Sequence, residues 1–270
     1  MSQETDGHSC GAEPHDHGIR NPGDSAGVPW QGRSFEANVH AADDGSADPR
    51  LLEALRRFRL GQATQVEVVD AFRSARVLIP LVAEKGDEGV GPMGLAVDKT
   101  QELSIVTVAA PDGRRVQPVF SSVQALAQWD AAARPIPVDA VRAALAVSAE
   151  ETDLIVLDPT SDTEFVIRRP AVWAIAQGHH WEPSFLSPEV FSALQESVAH
   201  ELAVIDISVA AGDPDARLRG AELVVTLELV DGLERAVLDA VLQRLAQRWA
   251  ADDRIAVLVD SLSVTLRRSG

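Results

Sequence analysis

The sequence predicts an α+β protein: two small mixed α/β domains, each a short sheet covered by helices, behind a disordered N-terminal tail. Three observations carry this expectation. Capped amphipathic helices alternate with short β-rich runs from residue 48 onward. The 270 residues are 46% apolar, enough to build a core without disulfide staples. Residues 1–48 differ from everything after them, being rich in Gly, Pro, Asp, Ser and His, with apolar residues at no helical or strand period. The domains are expected at 1–48 (acidic His/Gly/Pro-rich tail), 49–180 and 181–270, without an internal repeat.

Order begins at Asp48, an N-cap followed by Pro49 at the first helical position, with Leu51, Leu52, Leu55 and Phe58 on one face and Gly61 past the last turn. Thr64 and Glu67 read as a capping box opening a second helix through Val66, Val69 and Phe72. Val77–Val82 reads as a strand that Pro80 places near an edge. Glu84–Gly94 reads as a loop. Leu95–Val97 and Leu103–Ala109 then read as strands, and 103–120 as a hairpin turning at Pro111-Asp112-Gly113. Ser121 and Gln124 suggest a capping box for a helix carrying Trp129, which Pro135 and Pro137 stop.

A helix over Val138–Val147 comes next, then strands at Leu154–Leu157 and Phe165–Ile167 around the turn Pro159-Thr160-Ser161-Asp162. A helix from Pro170 to Gly178 precedes a linker at 179–188. The last domain reads as a helix from Pro188 through Val198, strands Ala203–Val209 and Leu223–Val230 around a polar loop, and a long helix. Its apolar face (Leu233, Val237, Leu238, Val241, Leu242, Leu245, Trp249) is expected to pack on its own sheet. Ile255–Val259 and Val264–Leu266 read as closing strands.

Composition excludes several functions. The formal net charge of −17 argues against nucleic acid or anionic lipid as partner. No apolar run approaches the about 20 residues of a membrane span, and the polar, acidic N-terminus lacks the pattern of a signal peptide. A lone Cys10 can form no internal disulfide, so the expected compartment is a reducing cytoplasm. The 22 Arg against 2 Lys, with abundant Ala, suggest a high-GC bacterial source.

Candidate chemistry reduces to structure at each position. Gly23-Asp24-Ser25-Ala26-Gly27 spells a nucleophile elbow but lies in the tail, without the strand and helix that would strain the serine. His8, Cys10, His15 and His17 are metal-ligating types without finger spacing. Gly86–Gly94 is glycine-dense, but Asp87 and Glu88 would repel phosphate. Asp158, Asp162 and Glu164 offer oxygens across one turn without EF-hand spacing. His179 and His180 beside Trp181 lack a sequence-placed catalytic partner, and His200 at a helix end suits the dipole. The dibasic pairs Arg114-Arg115 and Arg168-Arg169 read as solvated strand ends. Catalytic, cofactor and metal residues are therefore expected to be none. The expected role is non-enzymatic, a protein-binding or regulatory module with an unspecified protein partner. The alternative is an enzyme or small-molecule sensor with a pocket between the domains near Trp173, His179, His180 and Trp181.

Two blocks resemble a known family. Ala71–Val82 is similar to the opening of the SseB (enhanced serine sensitivity protein B) N-terminal domain. Gln117-Pro118-Val119-Phe120-Ser121-Ser122, with Trp129 in the helix after it, resembles the same domain. Leu154–Pro159 resembles the family's apolar strand ending in Asn-Pro, with Asp158 in place of the commoner Asn. The likeness spans about residues 50–180, and the C-terminal unit is only loosely similar to the family's second domain. The resemblance implies an α+β module with a regulatory or protein-binding role and carries over no catalytic residue.

Overall fold

The computed structural model describes residues 43–84, 102–105, 107–110, 113–150 and 152–269. The tail motifs (Ser25 and the His8/Cys10/His15/His17 group), the 86–94 loop and the strand expected at 95–97 lie outside the described residues. Among the described residues the class is α+β: eight α-helices and three short sheets.

Helices α1 (Pro49–Arg59) and α2 (Gln65–Arg73) start as their caps dictate. Asp48 accepts from Arg50 N and Leu51 N. Thr64 and Glu67 close a reciprocal box that satisfies two N-terminal amides. The chain then enters β1 (Arg76–Glu84), which pairs antiparallel with β2 (Glu102–Ile105) on one side and β5 (Arg134–Asp139) on the other.

Strand β1 is therefore central, which corrects the edge position expected from Pro80. The register explains it. Leu78 exchanges both backbone hydrogen bonds with Phe120, on the side away from β5. By alternation, Pro80 also turns its nitrogen away from β5, between the Phe120 bridge and the first β2 pair at Leu81. Pro135 and Pro137, opposite Pro80 and Leu78, likewise point theirs to the outer edge of β5. No ladder hydrogen bond is lost between β1 and β5, so two prolines expected only to end a helix sit inside a strand.

The next sheet has the order β3-β4-β6-β7: β3 (Val108–Ala109), β4 (Arg115–Val119), β6 (Leu154–Leu157) and β7 (Phe165–Ile167). The 103–120 hairpin is thus divided. β3 and β4 form it, turning through Gly113 at φ 84°, while β2 joins the other sheet. Strands β4 and β6 run parallel, and β7 returns antiparallel. Helix α3 (Val123–Trp129) is capped by Ser122, one residue beyond the expected Ser121, because Ser121 turns inward. Helix α4 spans Ala140–Ala149, starting two residues later than expected because Val138 and Asp139 finish β5. Helix α5 (Arg169–Gln177) ends on Gly178 in the left-handed region, at φ 72°.

One core joins α1, α2, α4 and α5 to β1, β6 and β7, with Phe72, Leu51, Leu55, Ile155, Phe165 and Ile175 almost wholly excluded from water. Each such side chain contributes about 1.5–3 kcal/mol of burial. Phe120 is buried with Leu78 and Leu126, its ring 5.3 Å from the half-buried Trp129.

After a 3₁₀ turn (Ser184–Leu186), α6 (Pro188–Val198) leads into the third sheet, order β10-β9-β8. Strands β8 (Val204–Ala211) and β9 (Leu223–Leu229) are antiparallel. The long helix α7 (Arg235–Ala251) crosses over to β10 (Leu262–Arg268), which pairs parallel with β9. Between them, residues 253–258 form helix α8 (Asp253–Leu258), not the strand expected at 255–259. Asp252 caps it, accepting from Arg254 N and Ile255 N, and this local capping overrides the β-branched composition of the segment. A second core fills the space between this sheet and α6, α7 and α8.

Candidate functional site

Several concave regions open among the described residues; three of them, and one buried ion network, hold the candidate side chains. The ion network contradicts the sequence reading. Arg168 is buried, not a solvated strand end. Its guanidinium meets Asp213 at 2.7 Å and Asp260 at 2.8 Å, and it donates to Gly220 O at 2.9 Å. Arg114 joins Asp260 from the side at 2.8 Å. Arg169 donates to the carbonyls of Ala256 and Val259. These arginines therefore bind the β3-β4-β6-β7 region to the C-terminal sheet.

Asp213 also accepts from the backbone N–H groups of Arg217, Leu218 and Arg219, holding a loop in which Ala216 and Leu218 are left-handed (φ 49° and 55°). Beside it, Glu222 accepts from Ser184 N and Asp260 N, and burial pushes its carboxyl above the usual carboxylate range.

The first concavity, about 640 Å³, lies at the carboxyl ends of the parallel strands β4 and β6, where crevices of open sheets commonly form. Asp158 sits at its base in the left-handed region (φ 47°). Its Oδ1 accepts from Ser121 N at 2.7 Å. Its Oδ2 accepts from Ser121 Oγ at 2.7 Å and Thr163 Oγ1 at 3.0 Å. Burial raises its pKa, against these hydrogen bonds.

Glu164 caps Thr160 N, and Asp162 O accepts from Arg217. The carboxylates of Asp158 and Glu164 are thus engaged by backbone amides and hydroxyls, while Asp162 contributes its main-chain carbonyl. No group of three or more His, Cys, Asp or Glu suited to a metal occurs among the described residues. The described residues lining this crevice include no histidine.

The second, about 320 Å³, gathers Trp173, His179, His180 and Trp181 with Glu182 and Val257. The residues suggested for an inter-domain pocket do share one cleft. Trp181 is buried and its Nε1 has no hydrogen-bond partner, whereas both imidazoles and Glu182 face solvent. Arg169 stacks over the Trp173 ring at 5.1 Å. His200 is exposed beyond the end of α6.

The third, about 520 Å³, is an apolar groove between α7, α8 and β10, lined by Leu242, Ala246, Ala250, Val259, Leu262 and Val264. It revises the expectation for the long helix. Val241, Leu245 and Trp249 do pack on the sheet, but Val237 is 45% exposed and Leu242 faces the groove. Sequence patterning shows an apolar stripe but not how wide the sheet beneath it is. That width decides how much of the stripe is covered.

Residues 51–174 match the family model described as SseB protein N-terminal domain. Comparison with curated proteins and with solved structures gives no match. Among the described residues no helix is long and apolar enough to cross a membrane.

Proposed function

From the match of residues 51–174 to the SseB N-terminal domain we propose that the chain is a non-enzymatic protein-binding or regulatory module of a bacterial cytoplasm. The observation that carries the reading is the apolar groove between α7, α8 and β10, lined by Leu242, Ala246, Val259, Leu262 and Val264. Apolar concavities of this kind on an acidic chain are suited to protein surfaces rather than to nucleic acid. The buried carboxylates support the non-enzymatic part. Asp158, Asp213, Glu222 and Asp260 all hold loops or arginines in place.

The test is quantitative capture by immobilised full-length chain, wild type against Ala246→Glu, which puts a charge in the groove. Loss of the captured protein in the variant is expected. Equal capture by both, or capture of nothing specific, would sink the reading.

A second reading is favoured by the Trp173/Trp181 cleft with its two imidazoles: a small-molecule sensor or enzyme site. Thermal-shift screening against amino acids and nucleotides separates the two. A ligand-specific rise in Tm that Trp173→Ala abolishes supports the cleft.

A further inference from the structure

We propose that the Trp173/Trp181 cleft binds a small organic cation, a methylated ammonium of the choline type. The proposal rests on the second reading above and names the class of ligand at that cleft. Its walls come from α5, the segment 179–187, the first turn of α6 and the end of α8. Two indoles, two imidazoles and the carboxylates of Glu182 and Glu189 line it, and the described lining residues include no lysine or arginine.

Charge favours a cation here. Glu182 and Glu189 are exposed and make no side-chain hydrogen bond or ion pair among the described residues. They differ in this from Asp158, Asp213, Glu222 and Asp260, which are enclosed and already bonded. A carboxylate in solvent that is bound to nothing can answer the charge of a ligand without giving up a partner.

The aromatic walls favour the same class. An indole face is electron-rich, and Trp173 already holds a cation in this way: the Arg169 guanidinium lies 5.1 Å from its ring. Arg169 does not line the cleft, so it covers the ring from outside. Its donation to the carbonyls of Ala256 and Val259 keeps it there. Glu182 and Glu189 outnumber this one fixed cation. Trp181, 8% exposed, is packed against the main core, so its wall is already in place and needs no ordering when a ligand enters.

The remaining walls select among cations. Pro170, Ala174, Val257 and Leu258 offer no side-chain acceptor. A primary ammonium against them would lose water from its N–H groups without replacement. A methylated ammonium carries its charge on C–H groups, which apolar walls and ring faces can touch directly. The volume, about 320 Å³, is at the small end of the range for ligand pockets and suits a molecule of that size.

The probe is choline, titrated into the full chain at about pH 8, where imidazole is ordinarily neutral. It is expected to raise Tm and to change tryptophan fluorescence. The uncharged isostere, with carbon in place of the ammonium nitrogen, is expected to bind about tenfold more weakly. Trp173→Leu keeps an apolar wall but removes the ring, and is expected to weaken choline binding by about tenfold while leaving the isostere unaffected. Glu182→Gln with Glu189→Gln, both at exposed positions, is expected to weaken choline binding by about threefold or more and to make it insensitive to salt. Choline that binds no tighter than its isostere overturns the proposal, as does affinity that Trp173→Leu leaves unchanged. Should Trp173→Leu fail to fold, the glutamine pair decides: unchanged choline affinity there overturns the proposal equally. If choline does nothing but an amino acid or nucleotide gives a rise in Tm that Trp173→Ala abolishes, the cation assignment fails while the cleft reading stands. If none of these ligands acts at the cleft, both fail.

Discussion

Asp158 lies buried with an amide and two hydroxyls as its partners, and burial outweighs them in raising its pKa. A carboxyl whose pKa is higher folded than unfolded adds stability in acid. It loses that contribution as the pH climbs through the folded value. Asp158→Asn keeps an acceptor for Ser121 N, and its amide can donate to Ser121 Oγ and Thr163 Oγ1. The variant is therefore expected to match the wild type near pH 4 and to be the more stable at pH 7. Urea melts at several pH values read this directly; a wild type that gains on the variant as pH rises would contradict it. Glu222 has the same sign, so part of the wild-type slope will survive the substitution. That residue 158 matters was legible in the resemblance to the family's Asn-Pro strand end. That it stands at the base of a crevice, bonded to Ser121, required the parallel pairing of β4 with β6.

At the scale of elements, helix α8 depends on its cap. Asp252→Ala removes the acceptor for two amides and the pairing with Arg254, and is expected to cost about 1–2 kcal/mol in thermal unfolding. Gly212 marks the mouth of the β8–β9 hairpin, where an added Cβ would stand 2.3 Å from Ala221 O. Gly212→Ala is expected to destabilise by about 1–3 kcal/mol and to weaken the ladder there, visible as faster amide exchange in Leu223–Val225. The capped helices α1, α2 and α5 were readable because caps are local: a serine, threonine, aspartate or glycine acts within four residues of itself. Strand β5 was not readable, because prolines are tolerated in a strand only when their nitrogens face away from the partner. Facing is a property of the pair, not of the segment.

For the whole molecule, the decisive residue is Arg168. It is the buried link between Asp213 and Asp260, and removing it leaves Asp213 without a cation and Asp260 with Arg114 alone. Arg168→Ala is expected to cost about 3–5 kcal/mol in equilibrium unfolding, with little relief from added salt because the site is out of solvent. A loss below about 1 kcal/mol would mean that the network relaxes around the gap. Sequence by itself determined the α+β class, most helix boundaries and the apolar stripe of α7, because each rests on short-range periodicity or capping. Tertiary structure alone decided that Arg168 is buried, that β1 is central and β10 an open edge, and that a groove remains beneath α7. Each depends on which distant segments meet, and the free energy of burial is set by those neighbours rather than by the residue's own identity.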